Sequence, residues 1–146
     1  MTPVKSIVVS GTIATSFMTM FSYAVSEQQE KNFKEPGLLA LLLYNLYPQS
    51  KKELTVVAGW ELHYIIGIFW TSLYYFLVRR KKKKLSFLQS IFFGTISGVL
   101  AIVTWKEIFK LHPHPPKINF KEFYWQLLIA HLVFGTTAIK CLEQRL

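Results

Sequence analysis

Two histidines, His63 and His131, stand inside stretches of the chain that are otherwise almost free of charge, and Glu61 lies two residues before the first of them. An ionisable side chain in such a setting is a functional candidate by default, because burying it away from water is costly. Three kinds of chemistry are open to this trio. Neutral imidazoles could hydrogen-bond neighbouring helices and fix their register. They could ligate a haem b iron from two sides, with Gly67 and Gly135, each one helical turn beyond its histidine, making room for the macrocycle. Or they could line a path for a proton or a small polar substrate, with Glu61 at its mouth. A direct Glu61–His63 pair is disfavoured, since residues two apart on a helix point roughly 200° apart.

The elements that must carry these residues are membrane spans. Hydrophobic residues make up 51% of the 146 and charged residues only 17%, with 12 Phe, 7 Tyr and 4 Trp. That composition excludes a disordered tail and a disulfide scaffold and argues against an ordinary soluble enzyme. Residues 6–26, 85–105 and 123–139 carry no Asp, Glu, Lys or Arg, and 54–78 carries only Glu61. About 20 residues of helix cross a hydrocarbon core of about 30 Å, and in lipid the backbone must satisfy its own hydrogen bonds. The fourth stretch is short, and Lys121, Glu122 and Lys140 can reach the interfaces from its ends. The expectation is an all-α, four-transmembrane-helix bundle forming a single integral membrane domain over 1–146.

Arg79, Arg80, Lys81, Lys82, Lys83 and Lys84 fill the connection between the second and third spans. The positive-inside rule places this run, and with it both termini, in the cytoplasm. The run serves as a membrane anchor that attracts anionic lipid of the bilayer. Six cations squeezed between two spans make a poor nucleic-acid groove, so the net charge of +9 points to no nucleic-acid partner. The connection 27–53 is nearly neutral, as suits the outer side. Within it Gly37–Tyr47 reads as a short helix, too short to span, that lies at the interface or dips between the spans. Tyr23, Trp105, Tyr124 and Trp125 are expected at the outer interface.

A repeat runs through the chain. Gly11-Thr-Ile-Ala in the first span matches Gly94-Thr-Ile-Ser in the third, and Trp60 with His63-x-x-x-Gly67 in the second matches Trp125 with His131-x-x-x-Gly135 in the fourth. The expected architecture is two parallel two-helix repeats. Gly11-x-x-x-Thr15 and Gly94-x-x-x-Gly98 are small-xxx-small patterns that let helix backbones approach, and they predict close packing of the first and third spans; Gly67 and Gly135 are helix-packing positions as well. Trp60, His63, Gly67, Thr71 and Tyr74 share a face too polar for lipid, which must turn into the bundle or towards a partner.

Gly11-Thr-Ile-Ala-Thr15 with Met18-Thr19, and Gly59-Trp60-Glu-Leu-His63-Tyr-Ile-Ile-Gly67, resemble a group of small bacterial four-helix inner-membrane proteins. In that group a G-x-x-A/G-T-x-x-M helix is followed by a G-W-x-x-H-x-x-x-G helix. The resemblance covers the first half of the chain, implies a bacterial inner-membrane location and carries no activity with it.

No Ser elbow, His-Glu-x-x-His helix, phosphate loop or paired Asp is present. His112-Pro-His114 supplies two potential ligands with no nearby Cys or Asp, so no metal site is expected, and Cys141 has no second cysteine to pair with. The sequence therefore favours a non-enzymatic bundle, acting as an accessory or self-associating subunit in a homo-oligomer or membrane complex. A small proton-coupled carrier using Glu61, His63 and His131 is the first alternative, and a bis-histidine haem protein the second.

Overall fold

The structure, a computed structural model, describes residues 1–80 and 84–145; Lys81, Lys82 and Lys83 of the basic run lie outside the described residues. Among the described residues five helices follow one another: α1 (Pro3–Gln29), α2 (Glu35–Leu46), α3 (Lys52–Arg80), α4 (Phe87–Leu111) and α5 (Phe120–Glu143). All but α2 are long and apolar enough to cross a membrane. Each span ends a few residues past the uncharged stretch that announces it, because charged residues can finish a helix once they reach water. Thr2 caps α1 ahead of Pro3, Ser86 and Gln89 close a capping box on α4, and Asn119 caps α5.

The four long helices run up and down, so both termini share one end with Arg79, Arg80 and Lys84, all of them exposed. At that end the Glu143 carboxylate accepts from the Leu85 amide at 2.5 Å, and Lys140 donates to the Leu85 carbonyl at 3.2 Å. At the other end α1 stops on Glu30, which takes a left-handed φ of 52°, a conformation that terminates helices. The chain then turns back, with the Phe33 amide donating to Ser26 Oγ at 3.0 Å, and lays α2 across α3. Gly59 makes that crossing possible, for a Cβ there would stand 2.6 Å from the Pro36 carbonyl oxygen. The 112–119 connection is tied to α2 in turn: His112 Nδ1 accepts from the His114 amide at 3.0 Å, leaving Nε2 to donate to the Leu42 carbonyl at 3.0 Å. Asn45 donates to the His114 carbonyl at 3.0 Å.

The inward face of α1 is built from small and polar residues, while large apolar side chains such as Phe33, Phe123, Phe134 and Ile139 fill the rest of the interior. That face of α1 takes Ser6, Ser10, Ala14, Thr15, Ser22 and Ser26, while Phe17 and Met20 face outwards at 52% and 66% exposure. Ile65, Phe69, Phe76 and Phe92 also face outwards. Water would penalise that arrangement and lipid does not, since between spans packing and polar contacts replace the hydrophobic drive. The protein is accordingly an integral membrane protein.

The helix partners differ from those expected in one respect. The first and third spans, α1 and α4, do not form a packed pair; α1 packs on α3 and α5, and α4 packs on α5. Gly11 is covered by Ile68 and Thr71 of α3, and Gly67 by Thr15 of α1. Gly94 faces the His131 carbonyl and Gly135, and Gly98 faces Leu128 and His131. A small stripe permits close approach by any neighbour and does not select which. Trp105 also departs from expectation. It is 8% exposed and packs at 5.1 Å from Phe109 and 5.4 Å from Phe123, because α4 continues beyond it to Leu111 and places it in the interior.

Candidate functional site

The polar face foreseen on α3 does turn inwards: His63, Thr71 and Tyr74 are 7%, 0% and 3% exposed. His63 meets α1. Thr19 Oγ1 donates to the Thr15 carbonyl at 2.7 Å, so its one proton is committed, and it accepts from His63 Nε2 at 2.9 Å. In the neutral ring that leaves Nδ1 with the free lone pair. His131, also 7% exposed, is held differently. Its Nδ1 donates to the Leu127 carbonyl of its own helix at 2.9 Å, leaving Nε2 unprotonated.

Both imidazoles line one cavity of about 110 Å³ inside the bundle. Every helix contributes to its wall, with Thr15 from α1, Leu39 from α2, Trp70 from α3, Trp105 from α4 and Phe134 from α5 among the residues that shape it. The lining is largely apolar. Its rim includes Ile66 of α3 and Thr104 of α4, both exposed on the outer surface of the bundle. α3 and α4 meet near the basic end, where the Tyr74 hydroxyl donates to Ser97 Oγ at 2.7 Å and lies 3.1 Å from the Phe93 carbonyl. Towards the α2 end they separate, and the cavity opens sideways between them.

Glu61 is not part of this site. It is exposed on α3, on the side away from His63, as the helical angle between them requires. A proton path running from Glu61 to the histidines has no geometry here.

The acid that does line the cavity is Glu35, at the start of α2 and 1% exposed. Ser22 of α1 donates to Glu35 Oε1 at 2.7 Å, and Gln126 of α5 donates to Ser22 Oγ at 2.6 Å. Glu35 Oε2 and Gln126 Oε1 are buried without a partner. Burial drives the Glu35 carboxyl up to about 7, against weaker lowering by Ser22, its own backbone amide and Gln126. Next to it in the chain Lys34 pairs with Glu27, and Lys31, in the connection after α1, pairs with Glu122 of α5. In sequence Glu35 is one of several charges in a near-neutral connection; only Pro36 directly after it, a residue favoured in a first helical turn, marks it as a helix start.

A haem does not fit these residues. The room that Gly67 and Gly135 were expected to give a macrocycle is filled by protein: a Cβ at Gly67 would stand 1.9 Å from Thr15 Oγ1, and one at Gly135 would stand 2.6 Å from the Gly94 Cα. The remaining cavity of about 110 Å³ is far smaller than a porphyrin. No protein-family model, curated protein or solved structure matches the chain.

Proposed function

We propose that this protein is a non-enzymatic membrane protein that binds a small lipophilic molecule, taken from the bilayer through the gap between α3 and α4. The observation that carries the reading is the cavity itself: enclosed by all five helices, mostly apolar, with a few converging polar groups and an opening that faces lipid. A bundle whose only task was to pack would gain nothing from a hole there, since a void forfeits contacts along its whole lining. The same reading accommodates an accessory or self-associating role, in which the outward apolar faces meet a membrane partner or a second copy. It replaces Glu61 by Glu35 as the acid of a carrier site.

Several companion proposals go with it. The basic end lies in the cytoplasm of a bacterial inner membrane, the α2 end outside, and α2 rests at the outer interface. The like pairing of the motif-bearing helices, α1 on α3 and α4 on α5, supports an ancestral duplication of a two-helix unit, and with it kinship to the small four-helix inner-membrane proteins whose motifs the chain resembles.

Trp70 and Trp105 line the cavity while Trp60 and Trp125 do not, which gives the test its signal. In lipid nanodiscs, with Trp60 and Trp125 replaced by Phe, a panel of bromo-arenes quenches the two remaining tryptophans saturably at low occupancy of the bilayer. Ala101→Phe, placed in the cavity wall, removes the saturable part. Quenching that rises only in proportion to the probe dissolved in lipid, in the unfilled protein, sinks the proposal.

A further inference from the structure

The titratable groups around the cavity, one carboxylate and two imidazoles, all present acceptors. His63 Nδ1 and His131 Nε2 are left as acceptors by the bonds that hold the rings. Glu35 Oε2 and Gln126 Oε1 are acceptors buried without a donor. Of the potential donors nearby, Thr19 is spent on Thr15 and Ser22 on Glu35, Gln126 Nε2 has one of its two N–H groups on Ser22, and the unpartnered Thr15 hydroxyl in the cavity wall can accept as well as donate. Buried acceptors without donors are costly, at about 1–3 kcal/mol each, more for a charged group. A guest that supplies donors relieves that cost, and a guest that brings further acceptors or negative charge adds to it.

We infer that the molecule this cavity takes is a lipophilic hydrogen-bond donor: an apolar body bearing a hydroxyl or ammonium head that lodges towards Glu35, His63 and His131. The inference rests on the cavity being a binding site. Size agrees with it. A protein cavity of about 150 Å³ holds a benzene ring, so about 110 Å³ takes a head and the first part of a body, with the remainder leaving between Ile66 and Thr104. The apolar wall, with Trp70, Trp105 and Phe134, suits a hydrocarbon or aromatic body. The two kinds of head call on different acceptors. An ammonium pairs with the Glu35 carboxylate, and a hydroxyl is served as well by either imidazole nitrogen.

Four probes of one ring size test this in the same nanodisc quenching assay at pH 8, where Glu35 is ionised: 4-bromobenzylamine and 4-bromophenol as donors, 4-bromoanisole and bromobenzene without a donor. With concentrations referred to the bilayer phase, the expected result is at least about tenfold tighter saturable quenching by a donor probe than by 4-bromoanisole. A preference for the amine that Glu35→Gln abolishes assigns an ammonium head. A preference for the phenol that survives Glu35→Gln and is lost in His131→Leu assigns a hydroxyl head. Glu61→Gln, on the exposed face of α3, leaves either ranking unchanged. Saturable quenching of equal strength by all four probes overturns the donor inference while leaving the binding reading in place. Absence of saturable quenching by any probe overturns both. The ranking in the unmutated cavity decides the matter even where a variant does not fold.

Discussion

Along the α1–α3 seam the contact is made by side chains: Thr15 fills the space over Gly67, and Thr19 accepts from His63. Along the α4–α5 seam main chain meets main chain, with Gly94 against Gly135 and against the His131 carbonyl. The two seams join matching pairs of helices but differ in what can give way. A threonine can turn about χ1, whereas the backbone of a transmembrane helix cannot move without carrying its whole length with it. The α4–α5 pair is therefore the rigid frame, and the α1–α3 pair is the adaptable side of the cavity.

The sharpest break of this contrast is a methyl group on each seam. Gly135→Ala sets a carbon 2.6 Å from the Gly94 Cα and forces the helices apart. Its expected cost is about 4 kcal/mol, above most overpacking changes because no side chain can yield. Gly67→Ala meets Thr15 Oγ1 first, at 1.9 Å, and is expected to cost about 2 kcal/mol. Adding Thr15→Ala restores the Gly67 variant, because it removes the obstacle; no side-chain truncation at position 94 can do the same for Gly135→Ala. Unfolding by SDS in mixed micelles measures all four proteins. Equal costs, or a rescue that does not appear, would erase the distinction between the seams.

Glu35 sits where the two pairs meet, bonded through Ser22 of α1 to Gln126 of α5, and it couples their docking to pH. Its carboxyl lies at about 7 in the folded protein against an ordinary 4.5. The folded state thus holds this proton more tightly than the unfolded state. Stability from this group is full below about 4.5, falls as pH rises towards 7, and is flat beyond. The displacement corresponds to about 3 kcal/mol across that window. Comparing the unmutated protein with Glu35→Gln at pH 4.5 and pH 8 isolates the effect from other titrating groups. The variant is expected to be nearly insensitive where the unmutated protein weakens.

The spans, the inward face of α3 and the pairing of His63 with His131 could be read directly from the sequence, because each rests on a local property: hydropathy over about 20 residues, or the period of a helix. The partners of the small-residue stripes could not be read, since a stripe specifies that a neighbour comes close without specifying which. Glu35 was hidden for a related reason. Its burial follows from the left-handed turn at Glu30 and the folding of α2 back against α3, which carry one glutamate out of a charged connection into the bundle. Among Glu27, Glu30, Glu35 and Glu53 only the proline after Glu35 is a local distinction, and it marks a helix start, not burial. Glu61 was singled out for standing in an apolar stretch, and the same helical angle that separates it from His63 turns it away from the cavity.

The two histidines allow the comparison of the seams to be tested at equal chemistry. His63 is bonded across a helix pair, so His63→Leu removes an interhelical hydrogen bond and is expected to cost about 1 kcal/mol, the range of such bonds between spans. His131 donates to the Leu127 carbonyl, four residues back on its own helix, where the regular α5 ladder already supplies that carbonyl with an amide. His131→Leu therefore loosens no helix from another and is expected to change stability by less than about 0.5 kcal/mol. Both substitutions take one acceptor from the cavity, so both should weaken the binding of a donor probe. Binding and stability then separate cleanly: His131→Leu loses the first alone, and His63→Leu loses both. If His131→Leu proved the more destabilising of the two, the ring at 131 would be holding helices together, and the α4–α5 seam would owe its strength to a side chain after all.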